Sequence, residues 1–359
     1  MDGFREFLRR KDIVPSAKRY GVDALGAMAQ GLFCSLLVGT ILKTLGSELS
    51  VPLLTEMGGF ASAMAAPAMA VAIGYALKAP PLVLFSLAAV GQAANTLGGA
   101  GGPLAVLLTA IVACELGKAA SHETKVDILV TPLATIVPGV CLAKLIAPPV
   151  GAFADAFGTL INRTTELQPF LMGVAVSVLV GVALTLPISS AAICHTLGLV
   201  GLAGGAAVAG CCAQMVGFAV LSFRENRWGG LVSQGLGTSM LQMPNIVRNP
   251  RVWIPPTLCA AITGPIATCV FHLQMNGDPI NAGMGTCGLC GLIGVWTGWV
   301  EPSEKAVASV GAAAITPTAL DWTGLLLVCI VLPAVLTPLI GALCRRLGWI
   351  REGDLALER

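Results

Sequence analysis

Charge is what this sequence has least of. Only 11% of its 359 residues are Asp, Glu, Lys or Arg, while 55% are hydrophobic. A soluble domain carries about 25% charged residues. Half of that cannot cover a water-facing surface, so lipid must solvate much of the chain. Histidine (3) and tyrosine (2) are scarce too, and the acids number 19. That leaves little material for an elaborate catalytic centre, and no G-x-S-x-G, H-E-x-x-H or G-K-[ST] motif is present. No nucleophile–base pair is recognisable, so an enzyme is the weakest reading. A net charge of +2 argues against nucleic-acid binding. No cleavable signal peptide is evident.

Glycine (43) and proline (22), by contrast, are plentiful. Both suit membrane helices that pack closely and break at chosen points. The twelve cysteines are scattered through apolar runs, where they act as small buried hydrophobes rather than a disulfide framework. Cys287-x-x-Cys290 supplies two metal ligands where structural zinc takes four, so neither a metal nor any other cofactor is expected.

Charge-free intervals locate the membrane segments, since a span needs about 20 apolar residues. Asp23–Lys43, Glu56–Lys78, Asp127–Lys144, Arg251–Asp278 and Asp321–Arg345 each enclose one. The interval Lys78–Glu115 holds two short helices or a re-entrant break around "GQAANTLGGAGGP". Glu166–Arg224 holds two spans and a short extra piece near Pro187. Asp278–Glu301 contains six glycines in 22 residues, a poor straight helix. The expectation is an all-α polytopic membrane protein. About nine or ten segments are inserted, two to four of them broken or re-entrant. Residues 1–22 form an amphipathic N-terminal segment, with Phe4, Phe7 and Leu8 among Arg5, Arg9, Arg10 and Lys11, suited to an anionic lipid surface. Residues 23–345 form a single transmembrane domain, and 346–359 a tail. The basic loops at 115–127, 223–252 and 345–352 place both termini in the cytoplasm and 148–165 outside.

Polar residues at membrane depth are costly, which makes them site candidates. Three clusters qualify. The first is Gln92 and Asn95, in a tight turn or a break. The second is Gln234, Thr238, Gln242 and Asn245, in "SQGLGTSMLQMPNIVRNP", read as a partly inserted hairpin or a cytoplasmic loop. The third is "NGDPIN". There Pro279 disfavours helix at Asp278, and the following segment begins with free N–H groups. Asp278 is flanked by Asn276 and Asn281, with His272 six residues earlier. His195 is as ambiguous as His272, and His122 sits in a charged loop.

"KVDILVTPLATIVPGVCLAKLIAPPVGAF" (125–153) is similar to a stretch of the IIC subunits of bacterial sugar phosphotransferase systems. "QGLGTSMLQMPNIVRNPRVWIPPTL" (234–258) and "NGDPINAGMGTCGLCG" (276–291) resemble the IIC-like group labelled perfringolysin-regulator-like, or toxin-regulator. The resemblance covers nearly the whole chain. It implies a homodimer in the bacterial cytoplasmic (inner) membrane, with IIC-like broken helices. It also implies a small polar solute, a sugar or sugar acid, moved by alternating access. In the glucose group a glutamate before proline and a histidine line the sugar site. The resemblance carries those roles to Asp278 and His272, though Asp is shorter than Glu and its surroundings differ. No IIA or IIB domain follows the last span, so a separate phosphorylating protein is the expected partner, unless transport is independent of phosphorylation. The competing expectation is a membrane sensor that binds the solute without moving it and docks a cytoplasmic regulator.

Overall fold

The computed structural model describes residues 2–357, with residues 2–5 and 48 described in backbone only. The side chains of Phe4 and Arg5, and Met1, Glu358 and Arg359, therefore lie outside the described residues. The protein is all-helical. Among the described residues the sole β feature is an isolated antiparallel bridge between Gly201 and Met275. Six helical stretches are long and apolar enough to cross a membrane, and a seventh results if the bent pair Pro52–Ala63 and Ala65–Ala76 is one span. The chain divides into two compact units, Met1–Phe153 and Ala154–Arg359.

The first unit is built from whole spans. Arg19–Ser47 is continuous through two π-helical turns and packs antiparallel on the bent pair. Gly31 lies against Ala68, and Gly46 against Thr55. Asp23 and Lys43, the edges of the charge-free interval, thus sit inside the helix, which runs on past them. The Gly-rich stretch resolves as a turn: Pro81–Gly98 and Gly102–Ala120 are joined by the three-residue 3₁₀ turn Gly99–Gly101. Gly99 holds φ +51°, a conformation that favours glycine. Each helix is about 27–29 Å long at 1.5 Å per residue, enough to cross. Asp127–Thr165 then runs for 39 residues, with Pro132, Pro138, Pro148 and Pro149 inside it. The stretch 148–165, expected outside, is helical as far as Thr165. Leu145, Ile128, Leu133 and Phe85 are bare, as lipid-facing residues must be.

The second unit is arranged about one central helix, Gly201–Leu221, which is buried along most of its length. At 21 residues it is about 31 Å long. Pro250–Val270 lies antiparallel to it: Gln214 meets Trp253 and Thr257, and Cys259 and Ala260 pack on Ala213. Ala319–Arg346 runs parallel to it, with Thr337 at Gly217 and Leu221 at Gly341. Gly210 and Gly264 allow close approaches. A side-chain carbon on either would strike the backbone of Ser177 or Gly173 in the neighbouring Pro169–Thr185 helix.

Candidate functional site: three re-entrant segments around the central helix

The segment that begins with "NGDPIN" dips along the central helix and comes back. Met275 N and O pair with Gly201 O and N, both at 3.0 Å. Further in, Ala282 O accepts from Cys211 Sγ, and Gly285 abuts Cys211. Deeper still, Thr286 Oγ1 meets Met215 Sδ at 3.6 Å. From Gly201 to Met215 the central helix rises about 21 Å, so the segment reaches well past its middle. Cys290–Val300 then returns, about 16 Å long, and Ser303 N bonds Asn276 O at 2.8 Å. The sequence supports this shape locally. Asp278 Oδ1 caps Ile280 N at 3.0 Å, Pro279 starts the 3₁₀ turn Pro279–Gly283, and Gly285 adopts φ +53° against Cys211.

A second hairpin starts from the same end of the central helix. Pro169–Thr185 passes Gly210 at Gly181 and ends with Thr185 Oγ1 beside Gln214 Oε1, 3.4 Å. Ser190–Leu197 leads back, its Ser189 cap accepting from Ala192 N, and Gly198 closes it at φ +61°. Ser190 Oγ donates to Gly283 O at 2.7 Å, so the two hairpins touch at depth.

The third segment, 233–248, enters from the opposite end. Gln234 Nε2 donates to Ser222 Oγ at the end of the central helix, and Ser239 Oγ meets Thr185 Oγ1 at 2.7 Å. The turn Ser233–Gly237 packs on Cys287–Leu289 of the first hairpin. Segments from both ends therefore meet part-way along the central helix. The polar groups there are neutral and bonded: Thr185, Gln214, Ser239, Thr257 and the Trp253 indole N–H, which donates to Gln214 Oε1 at 3.0 Å. Lipid cannot satisfy such groups, so the protein does.

The candidate residues separate into four places. Asp278 is exposed and its Oδ1 lies 3.6 Å from Nδ1 of His195, also exposed. The histidine beside the acid is thus His195, 83 residues earlier in the chain. His272, at φ +46°, lines a 320 Å³ cleft with Gln274, Asn276, Trp299 and Asp321. Asn276 Oδ1 is buried there without a partner among the described residues. Asn281 turns instead onto Gly294 of the returning helix.

Gln234, Gln242 and Asn245 form a closed chain. Gln242 Nε2 donates to Gln234 Oε1 and to Leu355 O, and Asn245 Nδ2 to Gln242 Oε1 and Ala356 O. Every amide proton of this trio has a protein acceptor, Gln234 using Ser222 and Gly230. The expected solute-facing amides instead fasten the C-terminal tail to the hairpin. Thr238 stays near the tip, its Oγ1 accepting from Met240 N. Gln92 and Asn95 belong to the first unit, on Pro81–Gly98, with Asn95 Oδ1 packed on Gly102.

Sequence reasoning missed Gln214 and Thr185. A lone Gln at the middle of a 21-residue apolar helix was the available signal for the first. Cys287 and Cys290 are buried in packing, and all twelve cysteines are free thiols. Among the described residues no cluster of three His, Cys, Asp or Glu is placed to hold a metal.

The model of the family described as "Phosphotransferase system, EIIC" matches residues 22–357. No curated protein and no solved structure gives a match. The match takes in nearly the whole chain, both units and all three re-entrant segments. It joins an all-helical, multi-span architecture to a known transport class, and the chain belongs to the EIIC family, the membrane transport component of the phosphotransferase system.

Proposed function

We propose that the protein moves a small polar solute of the sugar or sugar-acid class by alternating access, in concert with separate IIA- and IIB-type proteins. One observation carries this reading: re-entrant segments from opposite ends of the central helix meet part-way along it. Non-helical backbone at such depth belongs where it faces protein or a solute path. The mouth of the path lies at the Met275 end. There the cleft under Trp299 offers an aromatic face, the orphan acceptor Asn276 Oδ1, and His272. Asp278 with His195 stands beside it as a second station. Thr238, Ser239 and Thr286 at the tips form the inner station. Neutral hydroxyls and amides match an uncharged polyol, and a single carboxylate matches its hydroxyl donors.

The charge pattern supports a sidedness. In the second unit Arg224, Arg227, Arg248, Arg251, Arg345, Arg346 and Arg351 cluster at the tail end, against Arg163 and Lys305 at the other. By the positive-inside rule the tail end is cytoplasmic and the Asp278 end outside. The motifs 234–258 and 276–291 support kinship with the perfringolysin-regulator-like group, and a bacterial inner-membrane homodimer goes with that kinship.

Uptake of radiolabelled sugars into proteoliposomes, with and without IIA and IIB proteins, tests the reading. Asp278→Asn is expected to reduce uptake at least ten-fold, the effect of about 1.4 kcal/mol at one hydrogen-bonded station. Wild-type uptake by Asp278→Asn together with His195→Ala would remove this station. Tight binding without flux under every condition would make the protein a sensor instead.

A further inference from the structure

The first unit holds a cleft that transport does not use. It has a volume of 440 Å³ and lies where Leu77 and Ala120 end their helices. Its lining includes Arg10, Lys11, Lys78, Lys118, Ser121 and His122. The cations outnumber their partners. Arg10 and Lys11 share the one carboxylate of Glu123, at 2.6 and 2.5 Å. Lys118 is matched to Glu115 at 3.1 Å, and Asp12 to Arg19 at 2.7 Å. Among the described residues Lys78 forms no ion pair, and it is held at φ +58° by the turn after Ala76. A second observation is independent of charge. Ser121 is 2% exposed, it lines the cleft, and its hydroxyl has no hydrogen-bond partner among the described residues. Uncompensated positive charge and an orphan hydroxyl together describe an oxyanion receptor.

The surroundings identify the source of that oxyanion. The helix Asp2–Arg10 has its basic residues in the last turn, and Arg10 and Lys11 sit 5.5 and 5.8 Å from the Phe7 ring. Such a helix lies in the headgroup plane with its apolar face toward acyl chains. The cleft is therefore at the depth of lipid phosphates. The two acids of the lining are both paired, Glu123 with Lys11 and Arg10 and Asp12 with Arg19.

We propose that this cleft binds the phosphate of an anionic lipid headgroup, which Lys78, Arg10 and the Ser121 hydroxyl grip together. The lipid then fixes the N-terminal helix to the first unit.

Native mass spectrometry of the full chain, released from nanodiscs of mixed phosphatidylglycerol and phosphatidylcholine, tests it. Wild type is expected to retain phosphatidylglycerol in preference to phosphatidylcholine. Lys78→Gln should weaken that retention about five-fold, the contribution of one basic residue near an anionic surface. Ser121→Ala should weaken it further and Lys78→Arg should restore it, while Lys305→Gln, in the other unit, leaves it unchanged. Gel filtration confirms that each variant is folded; Lys78 is exposed, so its replacement disturbs no packing. Equal retention of both lipids by wild type, or retention unaffected by Lys78→Gln and Ser121→Ala, would overturn the proposal. So would inorganic phosphate alone raising the melting temperature of lipid-stripped protein with no lipid preference, since the source would then be free phosphate.

Discussion

The two units bury polar groups in opposite ways. In the first, the buried network is charged and sits at the ends of the spans: Lys118, 2% exposed, reaches Glu115, Asp12 O and Leu77 O, and Tyr20 donates to Glu115. In the second, the network part-way along the spans is neutral, at Thr185, Gln214, Ser239 and Thr257, and the charged pair Arg345–Glu225 stays at a span end. The difference follows the cost of charge in hydrocarbon. Near the interface an ion pair still finds water and partners; at depth only neutral groups with full hydrogen bonding persist. One unit thereby keeps its buried Lys118 network near the span ends. The other keeps exchangeable hydroxyls and amides where segments from two directions meet.

The largest test of the comparison removes the charged network. Lys118→Met leaves Glu115 buried without its ion-pair partner and Asp12 O without its Lys118 donor, while Leu77 O keeps only Arg19. Breaking a buried pair by removing one partner costs about 3–5 kcal/mol. Thermal unfolding in detergent should show this as a clear drop in midpoint. An unchanged midpoint would mean that the interior of the first unit tolerates an isolated carboxylate, and the contrast between the units would fail.

The second test moves charge to depth. Gln214→Glu has nearly the same volume but places a carboxylate beside the Thr185 hydroxyl. At mid-span an acid costs about 2.5–3.5 kcal/mol. Gln214→Leu is the neutral control; it strands the Trp253 indole N–H and should cost about 1–3 kcal/mol. Melting midpoints should therefore rank wild type above Gln214→Leu above Gln214→Glu. If the glutamate variant is as stable as the leucine variant, water reaches this level and the site is not sealed.

Much of the fold was legible because charge intervals and glycine runs report directly on lipid exposure. The break at "NGDPIN" and the inserted hairpin at 233–248 both follow from a proline or glycine beside polar residues in an apolar run. Glycines allow either a turn or a break at 99–101, and only the fold decides for the turn. What was not legible is pairing over distance. His195 and Asp278 are brought together by one hairpin returning beside another, a tertiary fact with no local signature. The roles of Gln242 and Asn245 were hidden for the same reason: their acceptors are carbonyls of Leu355 and Ala356, over a hundred residues on. Composition marks them as polar at depth, and only the fold shows that the tail already satisfies them. The length of Asp127–Thr165 escaped because the charge-free interval ends at Lys144, yet the helix runs on through Pro148 and Pro149, which membrane helices carry where neighbours or water take up the freed carbonyls.

The smallest expected effect concerns the surface of the charged network. Asp12 and Glu123 tie the N-terminal segment to the first unit through Arg19 and through Lys11 with Arg10. The guanidinium of Arg19 holds the Asp12 carboxyl below its usual range, and Lys11 does the same for Glu123. For a carboxyl depressed on folding, the stabilisation is complete above the unfolded value, near 4, and disappears as pH falls through the lower folded one. Both carboxylates are open to solvent, so each contact is weak and screened by salt. Hydrogen exchange of residues 6–20 should therefore stay flat from about pH 8 to 5 after correction for intrinsic rates, and rise only below about pH 4. Asp12→Asn should raise it already at neutral pH, without moving exchange around Gln214. A rise already well above about pH 5 would mean that neither carboxylate pair fastens this segment.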